Sequence, residues 1–194
     1  MRLALAMRLV PPVMLALAAC TTARMPAISA QPSAVDLGAG LTGERWGEGD
    51  YGVVLLGGLS VLGDPIGADR MTVVAPAEDT DEALRRAITW LRDTAGVDRA
   101  AVVTGSPGAE AALAIGSQSP ELVDQLIAVD LAGDRVGAAA SLGPFPKLFL
   151  AVETDIAAAQ ELADASPGEW NEAASAADDA ELLELILGRL DERR

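Results

Sequence analysis

The residues Thr104-Gly105-Ser106-Pro107-Gly108 stand between an apolar run, AAVV, and a helix-forming stretch, AEAALAIG. A serine in a tight, glycine-flanked turn can act as a nucleophile when a neighbouring base takes its proton, and histidine usually supplies that base. The chain of 194 residues contains no histidine. An aspartate, with an ordinary pKa of about 3.9, is a poor substitute unless burial raises it by several units. Lys147, the only lysine, precedes an apolar run, and nothing in the spacing sets it beside Ser106. Both remaining candidates also have plain structural readings. Ser106 followed by Pro107 suits an N-cap and first helical position, and Asp155 suits the N-cap or first turn of the helix IAAAQELA. Glu153, Asp155 and Asp130 are the acids best placed to hold a hard cation, but carboxylates at strand ends are common, and no metal site is expected. Transition metals lack imidazole ligands, and the sole cysteine is Cys20. The run GGLSVLG lacks the dinucleotide-binding spacing and no phosphate-binding loop motif occurs, so no cofactor is expected.

The elements that would position these residues are legible from apolar periodicity. Runs of strand length fall at 53–56, 72–75, 101–103, 126–129 and 148–152. Continuous apolar runs suit strands covered on both faces, and helical patterns between them indicate a mostly parallel, doubly wound α/β sheet of about five strands. The clearest helix starts after Thr80, with Asp81 and Glu82 in its first turn and Leu84, Ala87, Ile88 and Leu91 on one face. A last helix from about Asp178 carries Leu183, Ile186, Leu187 and Leu190 as its expected stripe. In such sheets the functional groups lie beyond the carboxyl ends of the strands. Those positions are Gly57-Gly58, Pro76, the turn around Ser106, Asp130 and residues 153–155.

The strand, the TGSPG turn and the following helix resemble the nucleophile elbow of the α/β-hydrolase family, G-x-S-x-G. GVVLLGG resembles the strand leading into that family's oxyanion loop, MTVVAP its next strand, PELVDQLIAVD the helix-to-strand unit after the elbow, and FPKLFLAVETD the late strand ending at the acid of the triad. The resemblance spans about residues 52–190 and implies Ser106 and Asp155 in the nucleophile and acid positions. It implies no cap domain, because residues 133–147 are too few. The departures touch the chemistry. The region where the family carries its histidine, before the last helix, holds Asp178. The residue after the serine is Pro107, which has no N–H for an oxyanion hole, and losing one such donor costs about 2.7–4 kcal/mol of transition-state stabilisation. Thr104 stands at the first glycine of the pattern, and the family's His-Gly reads Gly57-Gly58. The last strand has only EWNEA, residues 169–173, as a short polar remnant.

The amino terminus carries a separate signal. Arg2 and Arg8 precede an apolar stretch of about ten residues, too short to span a hydrocarbon core of roughly 30 Å. The stretch closes with Leu17-Ala18-Ala19-Cys20, which resembles the bacterial lipobox and implies cleavage before Cys20 and lipidation of its thiol. Residues 1–19 are then a lipoprotein signal peptide and residues 20–49 a lipidated cysteine and flexible tether. Residues 50–194 are an α/β-hydrolase-like domain. The chain carries a net charge of −15, and loss of the two arginines of residues 1–19 makes it −17. Such a surface repels phosphate backbones, so no nucleic-acid partner is expected, and membrane attachment falls to the lipid.

The expectation is an exported protein, lipid-anchored to the cell envelope, with no intact catalytic set. It would bind a small ligand or an envelope protein, with Gly57, Gly58 and Ser106 as the binding positions. The alternatives are a serine ester or thioester hydrolase using Ser106 with a nonstandard base, and a structural envelope lipoprotein.

Overall fold

A computed structural model describes residues 31–152 and 155–192. In chain order the strands are β1 (Ser33–Gly38), β2 (Leu41–Trp46), β3 (Tyr51–Leu56), β4 (Met71–Pro76), β5 (Ala100–Thr104), β6 (Gln125–Val129), β7 (Lys147–Ala151) and β8 (Asn171–Ser175). The helices are α1 (Gly63–Ala68), α2 (Asp81–Asp93), α3 (Ala109–Gln118), α4 (Val136–Ala139), α5 (Ile156–Ala165) and α6 (Asp179–Asp191). All eight strands join one sheet in the order β1-β2-β4-β3-β5-β6-β7-β8. Only β2 runs against its neighbours; from β4 to β8 every pairing is parallel.

The core explains why the central strands read as unbroken apolar runs. Alternate residues feed two hydrophobic clusters, one on each side of the sheet. Val54, Val74, Val102, Ala128 and Phe149 pack with α2, α3, α4 and α5, whereas Val53, Val73, Val103, Ile127 and Leu148 pack with α1 and α6. A sheet covered on both faces has no solvent side on which to alternate polar residues. Helix α2 is as expected: Thr80 caps it, accepting a hydrogen bond from the Ala83 amide at 3.2 Å, and Leu84, Ala87, Ile88 and Leu91 are buried. Between β6 and β7 stand only a short 3₁₀ turn and α4, with no cap domain.

Three expectations need correction. First, the described residues form eight strands, not about five. Two of the extra ones occupy residues 33–46, which were read as tether; Val35, Leu37 and Trp46 are buried there, the first two against α2 and the third beside α1. The glycine-rich composition that suggested a flexible linker belongs to the connecting turn, where Gly38, Ala39 and Gly40 all take left-handed backbone, with φ of 83°, 55° and 81°. Residues 1–30, including Cys20, lie outside the described residues.

Second, the doubtful last strand forms as β8, held by side chains from its neighbours. The Lys147 ammonium donates to Phe145 O and Pro167 O, each at 2.6 Å, and to Asn171 Oδ1 at 3.3 Å, while Arg189 of α6 donates to Trp170 O at 3.1 Å. Third, the buried stripe of α6 is Leu182, Ile186, Arg189 and Leu190; Leu183 and Leu187 are only partly buried.

Lys147 is fully enclosed, and burial pushes its amine down from 10.5 to about 8. Between those values the unfolded chain holds the proton that the folded chain has shed, so this group makes stability rise with pH across the window. Tyr51 acts in the opposite sense, since burial and the Asp124 carboxylate push its phenol upward, but only above the ordinary tyrosine value of 10.0. The urea midpoint of wild type should therefore rise from about pH 7.5 to about pH 9.5, and Lys147→Met should lose that rise. Trp46→Ala should cost about 3–5 kcal/mol in the same assay, a loss that no tether residue would produce.

Candidate functional site

Strand β3 ends at Leu56, and the chain turns through Gly57 and Gly58, with φ of 69° and 80°. This turn lies directly against the TGSPG segment. A Cβ on Gly57 would come within 2.6 Å of Gly105 O, and one on Gly108 within 2.8 Å of Gly57 N, so glycine is required for the approach. The Gly105 amide also donates to Leu56 O at 3.1 Å. The sheet thus brings the Gly57-Gly58 turn and the Ser106 turn together.

The local conformation of the serine is not that of a strained elbow. Gly105, with φ −83° and ψ 173°, is the cap residue, and Ser106-Pro107-Gly108 form a 3₁₀ turn leading into α3. Left-handed non-glycine residues among those described are Ala39, Arg70 and Asp130, and Ser106 is not one of them. The expectation that Ser106 is the N-cap is corrected by one residue: the serine makes no capping bond. Its hydroxyl is exposed and has no hydrogen-bond partner among the described residues. Thr104 is accommodated because it closes β5 rather than entering the turn; it is fully buried and its hydroxyl donates to Gly105 O at 2.9 Å.

The carboxylates at the strand ends serve the backbone. Asp155 caps α5, accepting from the Ala157 amide at 3.0 Å. Asp178 caps α6, accepting from the Ala180 and Glu181 amides at 3.0 and 2.9 Å. Asp130 accepts from the Val152 amide at 2.8 Å. Glu153 lies outside the described residues, and no group of three or more metal-ligating side chains occurs among the described ones.

A cleft of about 430 Å³ opens at the ends of β3 and β4, lined by Gly57, Gly58 and Ser60, by Asp79 beyond β4, and by Thr42 and Glu44 of β2. Ser106 is not among its lining residues. Within it the Gly57 amide donates to Asp79 Oδ1 at 2.7 Å, a short charge-assisted bond. Sequence reasoning missed Asp79 and Glu44. Asp79 lay hidden in the acidic run EDTDE beside the capping Thr80, and Glu44 fell in the supposed tether.

No family model matches the sequence, and no curated protein matches it. Solved structures do. A cold-adapted esterase from an Arctic intertidal metagenomic library superposes with a TM-score of 0.66 at 14% identity, over 85% of this chain and 94% of that one. A novel esterase from Mycobacterium tuberculosis gives 0.63 at 13%, over 84% and 91%. The thioesterase domain from the curacin biosynthetic pathway gives 0.61 at 12%, over 84% and 99%.

The chain has the α/β-hydrolase fold.

Identities this low speak for the fold alone, so the chemistry rests on the residues present. On the α/β-hydrolase frame, by the resemblance already drawn, Ser106 follows β5 at the nucleophile's place, Asp155 follows β7 at the acid's, and Asp178 follows β8 where the base would stand. None of the carboxylates is hydrogen-bonded to Ser106. If these acids act only as caps, Asp178→Ala and Asp155→Ala should each lower stability by about 0.5–2 kcal/mol, read from urea unfolding.

Proposed function

We propose that this chain is a lipid-anchored binding module of the bacterial envelope, built on an α/β-hydrolase frame that no longer carries out serine hydrolysis. The observation that carries this reading is Pro107, which leaves the donor position after Ser106 without an N–H, beside a Gly57 amide that is already bonded to the Asp79 carboxylate at 2.7 Å. Acyl transfer needs donors free to meet a developing negative charge, and here one is missing and a carboxylate sits on the amide of the adjacent turn. The missing histidine and the engaged Asp155 and Asp178 act in the same direction. The cleft favours a small ligand over a purely structural role.

An exposed Ser106 on a fold shared with esterases and a thioesterase supports the alternative, ester or thioester hydrolysis. Incubating the protein with a fluorophosphonate and weighing it by mass spectrometry separates the two. The expected result is no adduct on folded protein. A stoichiometric adduct lost in Ser106→Ala would establish an activated serine and end the binding-only reading.

β1 pairs with β2 from Ser33↔Arg45 to Gly38↔Leu41, and β2 pairs with β4 as far as Gly43↔Pro76. The chain therefore enters β1 from the amino end of the parallel strands and rises toward the carboxyl ends. The thirteen residues from Cys20 to Ser33 reach at most about 45 Å, so a lipid on Cys20 would keep the domain within that distance of the membrane. Labelled palmitate should enter the wild-type chain in a bacterial host and be absent from Cys20→Ser; equal labelling of both would refute the anchor.

A further inference from the structure

At the opposite rim of the sheet, where β7 and β8 begin, a second cavity of about 320 Å³ is lined by Pro146, Trp170, Glu172, Arg189 and Glu192. The chain has six aromatic residues. Trp46, Tyr51, Phe145 and Phe149 are buried, and Trp90 packs against the core with the Arg45 guanidinium 5.8 Å from its ring. Trp170 is 63% exposed. Its main chain is nonetheless firmly held. Trp170 O accepts from the Lys147 amide at 3.0 Å and from Arg189 Nη2 at 3.1 Å, and Asn171 Nδ2 donates to Ser166 O at 2.7 Å and Gly168 O at 3.1 Å. Two charged side chains, Lys147 and Arg189, are thus buried to fasten a loop that presents one indole to water. Burying charge is costly, and a rigidly presented aromatic is the form of a binding platform.

The charges beside the indole decide what it can take. Arg189 is 7% exposed, its Nη1 donates to Glu192 at 2.8 Å and to Glu172 at 3.4 Å, and its Nε has no acceptor among the described residues. A cationic ligand would compete with that guanidinium for both carboxylates, and an anionic one would meet two negative charges. A wholly apolar ligand would strip water from the carboxylates and return no hydrogen bonds. Both carboxylates are more than half exposed and keep lone pairs to spare. What suits the cavity is an uncharged ligand with an apolar face for the indole and hydroxyls at its edge. A pyranose ring has that form, its axial C–H groups making the face.

We propose that this cavity is a sugar-binding site, in which an uncharged pyranose stacks on Trp170 and donates its hydroxyls to the Glu172 and Glu192 carboxylates. Arg189 is a positioning residue that holds both acceptors in place. A free sugar and the end of a glycan present the same face, and the two differ in how affinity grows with chain length. The site shares no residue with the cleft or with the turn around Ser106, so it stands or falls independently of the binding reading given above.

The test is a titration of the full chain, in a detergent without sugar headgroups, with the methyl β-glycosides of glucose, galactose and N-acetylglucosamine and with cellotetraose and chitotetraose. The Trp170 indole and Glu172 amide resonances report binding. At least one sugar should move them saturably, with an affinity that changes by less than about twofold between low and high salt, because no charge is neutralised. A tetramer that binds about tenfold or more tightly than its monomer supports the proposal with a glycan as ligand, and equal affinities support it with a free sugar. Trp170→Ala should weaken binding by about tenfold or more, and Trp170→Tyr, which keeps a smaller ring, should fall between it and wild type. Glu192→Ala should weaken it by about fivefold to tenfold. Val61→Ala, which removes another exposed apolar side chain outside the cavity, should leave it unchanged. No saturable shift with any of these sugars up to about 0.1 M would overturn the proposal, as would a sugar affinity indifferent to Trp170→Ala. Tetramethylammonium binding more tightly than every sugar would make this a cation site and overturn it too.

Discussion

Everything in this molecule follows from a parallel sheet covered on both faces. The strands β3, β4, β5, β6 and β7 are almost entirely buried, with one hydrophobic cluster on each side. A polar side chain along such a strand would lose its hydration without compensation. The polar residues these strands do bury lie at or next to their ends: Thr72 near the start of β4, Thr104 at the end of β5, Gln125 at the start of β6 and Lys147 at the start of β7. Chemistry is thereby confined to the two rims of the sheet, and the two rims divide the work.

At the amino rim, buried polar groups fasten strands and loops together. Tyr51 donates to Asp124 at 2.8 Å and accepts from Gln125 at 2.9 Å, joining the starts of β3 and β6, while Lys147 gathers the loops before β7 and β8. The carboxyl rim receives the amino ends of α2, α5 and α6, whose first amides lack intrahelical partners. Acids gather there to meet those amides and the positive end of the helix dipole. An acid at the carboxyl rim is therefore weak evidence of catalysis until its hydrogen bonds are known, and Asp155 and Asp178 both prove to be caps.

The same constraint decides what the sequence could disclose. Strands buried on both faces leave continuous apolar runs, so β3 to β7 and their parallel arrangement were legible, as was α2 through its cap and stripe. The edges were not. Strands β1 and β8 each have one sheet neighbour, and β1, β2 and β8 bury few residues, so their apolar signal thins: Val35 and Leu37 alternate within a glycine-rich stretch, and NEAAS has no large apolar side chain. What secures β8 is a set of contacts from Lys147 and Arg189, residues distant in sequence that no local pattern reports. At the site, the missing histidine and the proline after the serine were visible at once. The engagement of Gly57 by Asp79 was not, because it depends on how two loops 22 residues apart are brought together by adjacent strands.

Pro107 and Gly57, the two backbone positions on which the proposed reading rests, differ in kind. Pro107 has no amide hydrogen, and no motion of the chain restores one. Gly57 keeps its amide, and what it meets is an exposed carboxylate, Asp79. The first is a covalent absence; the second is a hydrogen bond between two loops. On the proposed reading, a frame that lacks the donor after its serine can still hold a ligand in its ground state. It is poorly equipped to stabilise charge that appears only in a transition state, where each absent donor costs about 2.7–4 kcal/mol.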